Sequence, residues 1–155
     1  MPRAVLIVGL CGSGKSHLAR EFEQQGFVSL DESFGGSRFS ADQGKLLSTG
    51  KSDELERQLA QGKNCAFTEA MLMFEQGRKE FEPCLMRLQG MKGVTVEWVF
   101  FAKDPDSANH NCRNDPNRTD GEGRAELNDR WSRCYTIPAG HTPWPIVRIP
   151  ESNTG

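Results

Sequence analysis

Apolar positions along this chain follow two rhythms. Residues 4–9 (AVLIVG) form an unbroken, largely β-branched run, the pattern of a central parallel strand buried on both faces. Shorter runs at 27–30, 65–68 and 94–102 (VTVEWVFFA) read as further strands. A fifth at 145–149 (PIVRI), flanked by prolines, suits a sheet edge. Between them the spacing is helical. Over 15–25, Leu18 and Phe22 lie four apart and Gly26 is placed to end the helix. Over 52–61, Ser52 can cap, Asp53 and Glu54 suit the positive end, and Gly62 closes. Residues 71–88 place Phe74, Phe81, Leu85 and Leu88 at helical spacing, with Pro83 expected to kink or split the element. Asp104-Pro105 reads as an N-cap followed by Pro at the first helical position, and Leu127, Trp131 and Tyr135 line one face of a late helix.

Strands alternating with helices predict an α/β fold, a five-stranded parallel sheet covered on both faces. Ligands of such sheets bind beyond the carboxyl ends of the strands. The 155 residues suit one domain with a real core. No apolar run approaches the roughly 20 residues of a bilayer span. The five cysteines (Cys11, Cys65, Cys84, Cys112, Cys134) form no C-x-x-C pair and no zinc-ligand spacing. An odd count without a framework suits a reducing compartment, and the expectation is a cytoplasmic protein, in the host cytoplasm if viral, with no membrane partner. Net charge is −2, from 19 basic and 21 acidic residues, which argues against nonspecific polynucleotide binding by counterion release.

The strongest chemical signal lies between the first strand and the first helix. Gly9-Leu10-Cys11-Gly12-Ser13-Gly14-Lys15-Ser16 fits G-x-x-x-x-G-K-[ST] without a gap, in the strand–loop–helix context the motif needs. Backbone N–H groups at a helix N-terminus supply many donors in a small volume, and the glycines let the backbone wrap a polyphosphate closely. Lys15 can neutralise β/γ oxygens and the Ser16 hydroxyl can sit on Mg²⁺. The expected cofactors are ATP and Mg²⁺, with Gly9, Cys11, Gly12, Ser13, Gly14, Lys15 and Ser16 binding the nucleotide.

The loop does not name a reaction. No N-K-x-D motif marks a GTPase, and a helicase or motor needs more chain. A compact kinase fits the length; it needs a group to hold the acceptor and a cationic lid. Asp31, with Glu32 as fallback, follows the second strand and either orients an attacking hydroxyl or is a solvated turn residue. Glu69, after the third strand, either serves magnesium or the acceptor or simply begins the next helix. Residues 109–135 read as a lid, with Arg113, Arg118, Arg124, Arg130 and Arg133 set against five acids. Arg113 and Arg118 are the arginines assigned to phosphoryl charge; the other three are read as surface ion pairs. Trp98 reads as core, with Trp144 and Phe39 better placed to stack on a base.

The stretch Val96-Glu97-Trp98-Val99-Phe100-Phe101, followed by residues 106–118 ending in Arg113-Asn114 and Arg118, resembles the 5′-kinase domain of phage polynucleotide kinases. Phage kinases acting on hydroxymethylated bases in DNA, and the small P-loop kinases for gluconate and shikimate, are its broader kin. The resemblance implies a kinase-type P-loop NTPase fold with three αβα layers and a helical lid. It assigns Asp31 as base, Glu69 as the acidic group after the third strand, and Arg113 and Arg118 as the lid arginines; beside Lys15 on the phosphates and Ser16 on the metal, the expected site gives Arg38 and Glu69 to the acceptor and Glu69 also to the metal. Two departures stand out: Arg38 lies farther from Asp31 than the family's pattern has it, and Glu69 stands where an Asp is usual. The expectation is transfer of the ATP γ-phosphate to a nucleic-acid hydroxyl, a DNA 5′ end or a hydroxymethyluracil. A nucleotide, nucleoside or metabolite acceptor is the alternative, and a non-catalytic ATP-dependent switch the reading from another class.

Overall fold

The computed structural model describes residues 1–30, 38–40, 45–47 and 51–151, with the side chains of 38–40, 45–47 and 51 excepted. Its centre is a four-stranded parallel sheet of β1 (Arg3–Val8), β2 (Val28–Leu30), β5 (Cys65–Thr68) and β6 (Thr95–Phe100), in the order β2-β5-β1-β6. The register pairs Ala4 with Cys65 and Val96, and Leu30 with Phe67. A separate antiparallel pair, β3 (Arg38–Ser40) and β4 (Lys45–Leu47), follows β2.

Strand residues alternate between two cores. Ala4, Leu6, Val8, Cys65, Phe67 and Phe100 join one, which α2 (Lys51–Ala60) covers with Leu55 and Leu59, and α3 (Glu75–Gly90) with Phe81, Cys84 and Leu88. Val5, Ile7, Ala66, Val99 and Phe101 join the other, under Leu18 and Ala19 of α1 (Lys15–Gln24). This double burial is why β1 carries no polar position after Arg3. Two further helices, α4 (Pro105–Asn114) and α5 (Gly121–Ser132), pack against each other after β6.

The expected fifth strand is not part of the sheet. Only Trp144 bridges to Phe101, donating to the Phe100 carbonyl and accepting from Ala102 N–H, both at 2.8 Å. Pairing cannot continue because the chain leaves the sheet there: Asp104 N–H takes the Ala102 carbonyl (2.9 Å) that the next rung would use. Segment 145–149 is held instead by side chains of α4. Nor does Pro83 split its helix. The break falls earlier, at Phe74, which is extended (φ −104°, ψ 142°) between a 3-10 turn over Ala70–Met73 and α3. Pro83 lies on the exposed face of α3, where water can serve the carbonyl that a proline leaves unpaired. Among the described residues no helix is long and apolar enough to cross a membrane.

Candidate functional site

The phosphate-type loop leaves β1 at Val8 and enters α1 at Lys15, at the carboxyl edge of the sheet. Among the described residues, four of the five α-helices carry an acidic residue in the first turn, and Asp104 caps α4 by accepting from Ser107 N–H at 3.1 Å. Helix α1 alone has neither an acid in its first turn nor a side-chain cap; its N-cap is Gly14, at φ 110°. Its first N–H groups and the positive end of its dipole therefore have no built-in anion. Lys15 is buried and turns its Nζ to the Gly9 carbonyl at 2.7 Å, while Ser16 is exposed. Ser13 N–H closes the turn on the Leu10 carbonyl (3.1 Å), and its hydroxyl is buried without a hydrogen-bond partner.

The loop is gripped from outside by residues that sequence reasoning passed over. Asn128, fully buried on α5, accepts from Cys11 N–H at 3.0 Å and donates to the Cys11 carbonyl at 2.7 Å. The same amide reaches Asn109 Oδ1 (3.1 Å), and Asn109 in turn donates to Asp129 (2.8 Å). Asn111 on α4 donates to the Gly12 carbonyl (2.8 Å) and to the Val147 carbonyl (2.9 Å), and accepts from Ile149 N–H (2.8 Å). Gly12, at φ 85°, presses so closely on α4 that a Cβ there would stand 2.3 Å from the Ala108 carbonyl oxygen. A hint was available: Ala125, Asn128, Ser132 and Tyr135 repeat at helical spacing, a small and polar stripe that turns out to be the buried face. Leu127 and Trp131, the expected face, are half-buried beside it.

The stretch 109–135 read as a lid is thus two helices clamped to the loop and to each other. Its arginines do not share one role. Arg113 pairs with Glu122 at 2.9 Å and is half-exposed. Arg118 lies 3.6 Å from Asp115, and Arg124 is 2.8 Å from Asp120. Charge from Arg118, Lys15 and Arg124 reaches the Cys11 thiol. Together with a hydrogen bond from the Cys112 thiol, the largest cause, they hold Cys11 at about 6 against the opposing effect of burial. The charges of Arg118 and Arg124 thus both reach the loop, although each also has a carboxylate partner.

On the other side of β1, Ile7 pairs with Thr68, so Glu69 follows level with Val8 beside the root of the loop. Glu69 is buried, 5% exposed, and precedes the 3-10 turn. That turn is fastened to the exit of α5: Arg78 donates to the carbonyls of Leu72 (2.8 Å) and Thr136 (2.9 Å), and Thr136 N–H bonds the Met73 carbonyl (3.1 Å). Burial lowers the Arg78 pKa. Tyr135 donates to the Phe101 carbonyl at 2.6 Å, with its phenol pushed up by burial. Asp31 and Glu32 lie outside the described residues, as does Phe39 beyond its backbone; Arg38 opens β3, its side chain likewise outside. Trp98 packs on the core and stacks on Phe100 (5.3 Å), while Trp144 is 43% exposed.

No family profile matches the sequence, and no curated protein matches it. Among solved structures, the crystal structure of a gluconokinase from Sinorhizobium meliloti 1021 superposes with a TM-score of 0.56 at 12% identity, covering 96% of this chain and 85% of that one. The chain has a P-loop kinase-like α/β fold. At that identity the likeness extends to architecture alone, and it singles out no particular relationship to phage polynucleotide kinases.

Proposed function

We propose that this protein is a phosphotransferase that binds ATP at the loop 9–16 and moves its γ-phosphoryl group to a hydroxyl. The observation that carries the reading is α1, the one α-helix among the described residues with neither a side-chain cap nor an acid in its first turn, opening directly from a G-x-x-x-x-G-K-S loop. Loop amides and Lys15 would hold the phosphates. Arg118 and Arg124, whose charge already reaches the loop, would meet the equatorial oxygens, with Arg113 joining if it leaves Glu122.

Among the described residues no three His, Cys, Asp or Glu side chains could hold a metal ion between them. That suits magnesium bound mainly by phosphate oxygens and water, with Ser16 supplying a hydroxyl and Glu69 a carboxylate at the sheet edge. Magnesium would neutralise charge developing between the β- and γ-phosphates. Asp31 is proposed to orient the acceptor hydroxyl, and Arg38 to bind its neighbourhood.

Two acceptor classes stay in view, each on its own support. The pattern over 96–118 favours a DNA hydroxyl; the gluconokinase likeness and the acidic balance favour a small polyol or nucleoside. Transfer of labelled γ-phosphate decides between them. The arms are a 5′-hydroxyl oligonucleotide, hydroxymethyluracil DNA and a mixture of sugars, nucleosides and nucleotides, with Lys15→Ala as control. Label in one arm that disappears in the control establishes the kinase and names its acceptor class. Tight ATP binding with no transfer to any arm would favour a nucleotide-dependent switch.

A further inference from the structure

The thiol of Cys112, on α4, touches the phosphate loop at a place the proposed reaction does not use. Its Sγ–H donates to the Cys11 carbonyl at 3.2 Å, and the Cys112 thiol is the largest influence on the charge state of the Cys11 thiol. The two cysteines are 101 positions apart in sequence, so only the fold brings them together. Their surroundings differ in the way a working thiol pair requires. Cys11 is partly exposed within a cationic loop, whereas Cys112 is 1% exposed beneath it.

We propose that Cys11 and Cys112 form a redox modification site, a dithiol that a peroxide-class oxidant closes to an intramolecular disulfide. The Cys11 thiolate attacks the peroxide: an S–O bond forms, the O–O bond breaks, and the departing hydroxide takes a proton to become water. The Cys112 sulfur then attacks the Cys11 sulfur, forming S–S and breaking S–O. The Cys112 proton leaves with the oxygen as a second water. Two thiols are oxidised by two electrons and one peroxide is reduced. A thiol reductant reverses the bond by exchange.

The chemistry selects this pair over the other cysteines. At about 6, Cys11 is mostly thiolate at neutral pH, the form that attacks. Cys65 and Cys84 are buried, and burial pushes them up to about 11 and about 12. Cys134 is exposed at the end of α5 and serves as an internal reference for unselective oxidation. Closing the bond to about 2.0 Å takes the Cys112 sulfur off the Cys11 carbonyl, a contact that the Asn128 amide retains.

The test needs no variant to begin. The full chain is exposed to stoichiometric hydrogen peroxide, free thiols are blocked with iodoacetamide under denaturing conditions, and tryptic peptides are mapped. Expected is a joined species of peptides 4–15 and 104–113, lighter by two hydrogens than their sum and lost on adding dithiothreitol. In Cys112→Ser, Cys11 should be trapped by dimedone as a sulfenic acid; in Cys11→Ser, Cys112 should stay unlabelled. Recovering both peptides separately, with Cys11 merely alkylated or carried to sulfonic acid while Cys134 reacts, would overturn the proposal. So would a Cys11→Ser protein in which Cys112 still takes up dimedone.

Discussion

Replacing Asn128 with alanine should loosen the phosphate loop more than any surface change, and the size of the effect can be worked from the bonds lost. The amide makes three close bonds, to Cys11 N–H, the Cys11 carbonyl and Asn109 Oδ1 at 3.0, 2.7 and 3.1 Å, and a longer one to the Cys112 sulfur at 3.8 Å. The Cys11 carbonyl keeps the Cys112 thiol as a weak donor, so its loss is partial. Cys11 N–H and Asn109 Oδ1 have no such second partner in the network. Orphaning a buried polar group costs about 1–3 kcal/mol, so Asn128→Ala should lose about 2–4 kcal/mol in total. That is a large share of the roughly 5–15 kcal/mol that holds a domain together. Tm should fall by about 5–15 °C at this chain length.

Asn128→Asp sharpens the test, because it preserves shape and keeps an acceptor for Cys11 N–H. It substitutes a second oxygen where the amide nitrogen now meets the Cys11 carbonyl and Asn109 Oδ1. It should be at least as damaging as alanine, since a buried carboxylate then faces two other oxygens. Urea denaturation read by tryptophan fluorescence gives the midpoint and the slope together, and an unchanged slope assigns the shift to stability. ATP affinity should fall in the same variants. A loss below about 0.5 kcal/mol in both, the range of ordinary surface changes, would refute the clamp.

Four further outcomes follow from the same geometry. Gly12→Ala should cost about 2–5 kcal/mol and abolish ATP binding, because a left-handed residue is joined there by a clash with the Ala108 carbonyl. Gly62→Ala, at φ 82° with open space around it, should cost only about 1–2 kcal/mol; equal losses in the two thermal melts would remove the packing argument. Tyr135→Phe should lose about 1–2 kcal/mol by leaving the Phe101 carbonyl without its donor, checked by the shift in urea midpoint. Iodoacetamide alkylation of Cys11, followed by peptide mass, should rise with pH through a midpoint near 6 and then level off, because the thiolate is the nucleophile and its folded pKa is depressed. A midpoint near the free-thiol value of about 8.5 would contradict the combined effect of the Cys112 thiol and the cationic setting of the loop.

How far the sequence could be read depended on whether the deciding contact was local. The run 4–9, the loop glycines and Lys15 lie within one strand–turn–helix unit, so periodicity and residue type suffice to place them. Asp104 as a cap is legible for the same reason: donor and acceptor are three residues apart. The fifth strand failed because pairing depends on where β6 ends, and a bond from Asp104 to Ala102 decides that. Pro83 does not split α3 because it lies on the exposed face, opposite Phe81, Cys84 and Leu88, where water can serve the carbonyl it frees. Asn128 and Asn111 are the instructive omissions. A buried helix face normally shows itself by apolar repeats, but here it meets mainly the backbone of residues 11 and 12, whose N–H and C=O groups call for polar partners. Only small and amide residues fit that partner, so the stripe looks like solvent-facing surface until the fold supplies the loop. The arginines obey the same logic. Arg113 and Arg118 are alike in sequence context, yet acids nine and three positions away set where each one points.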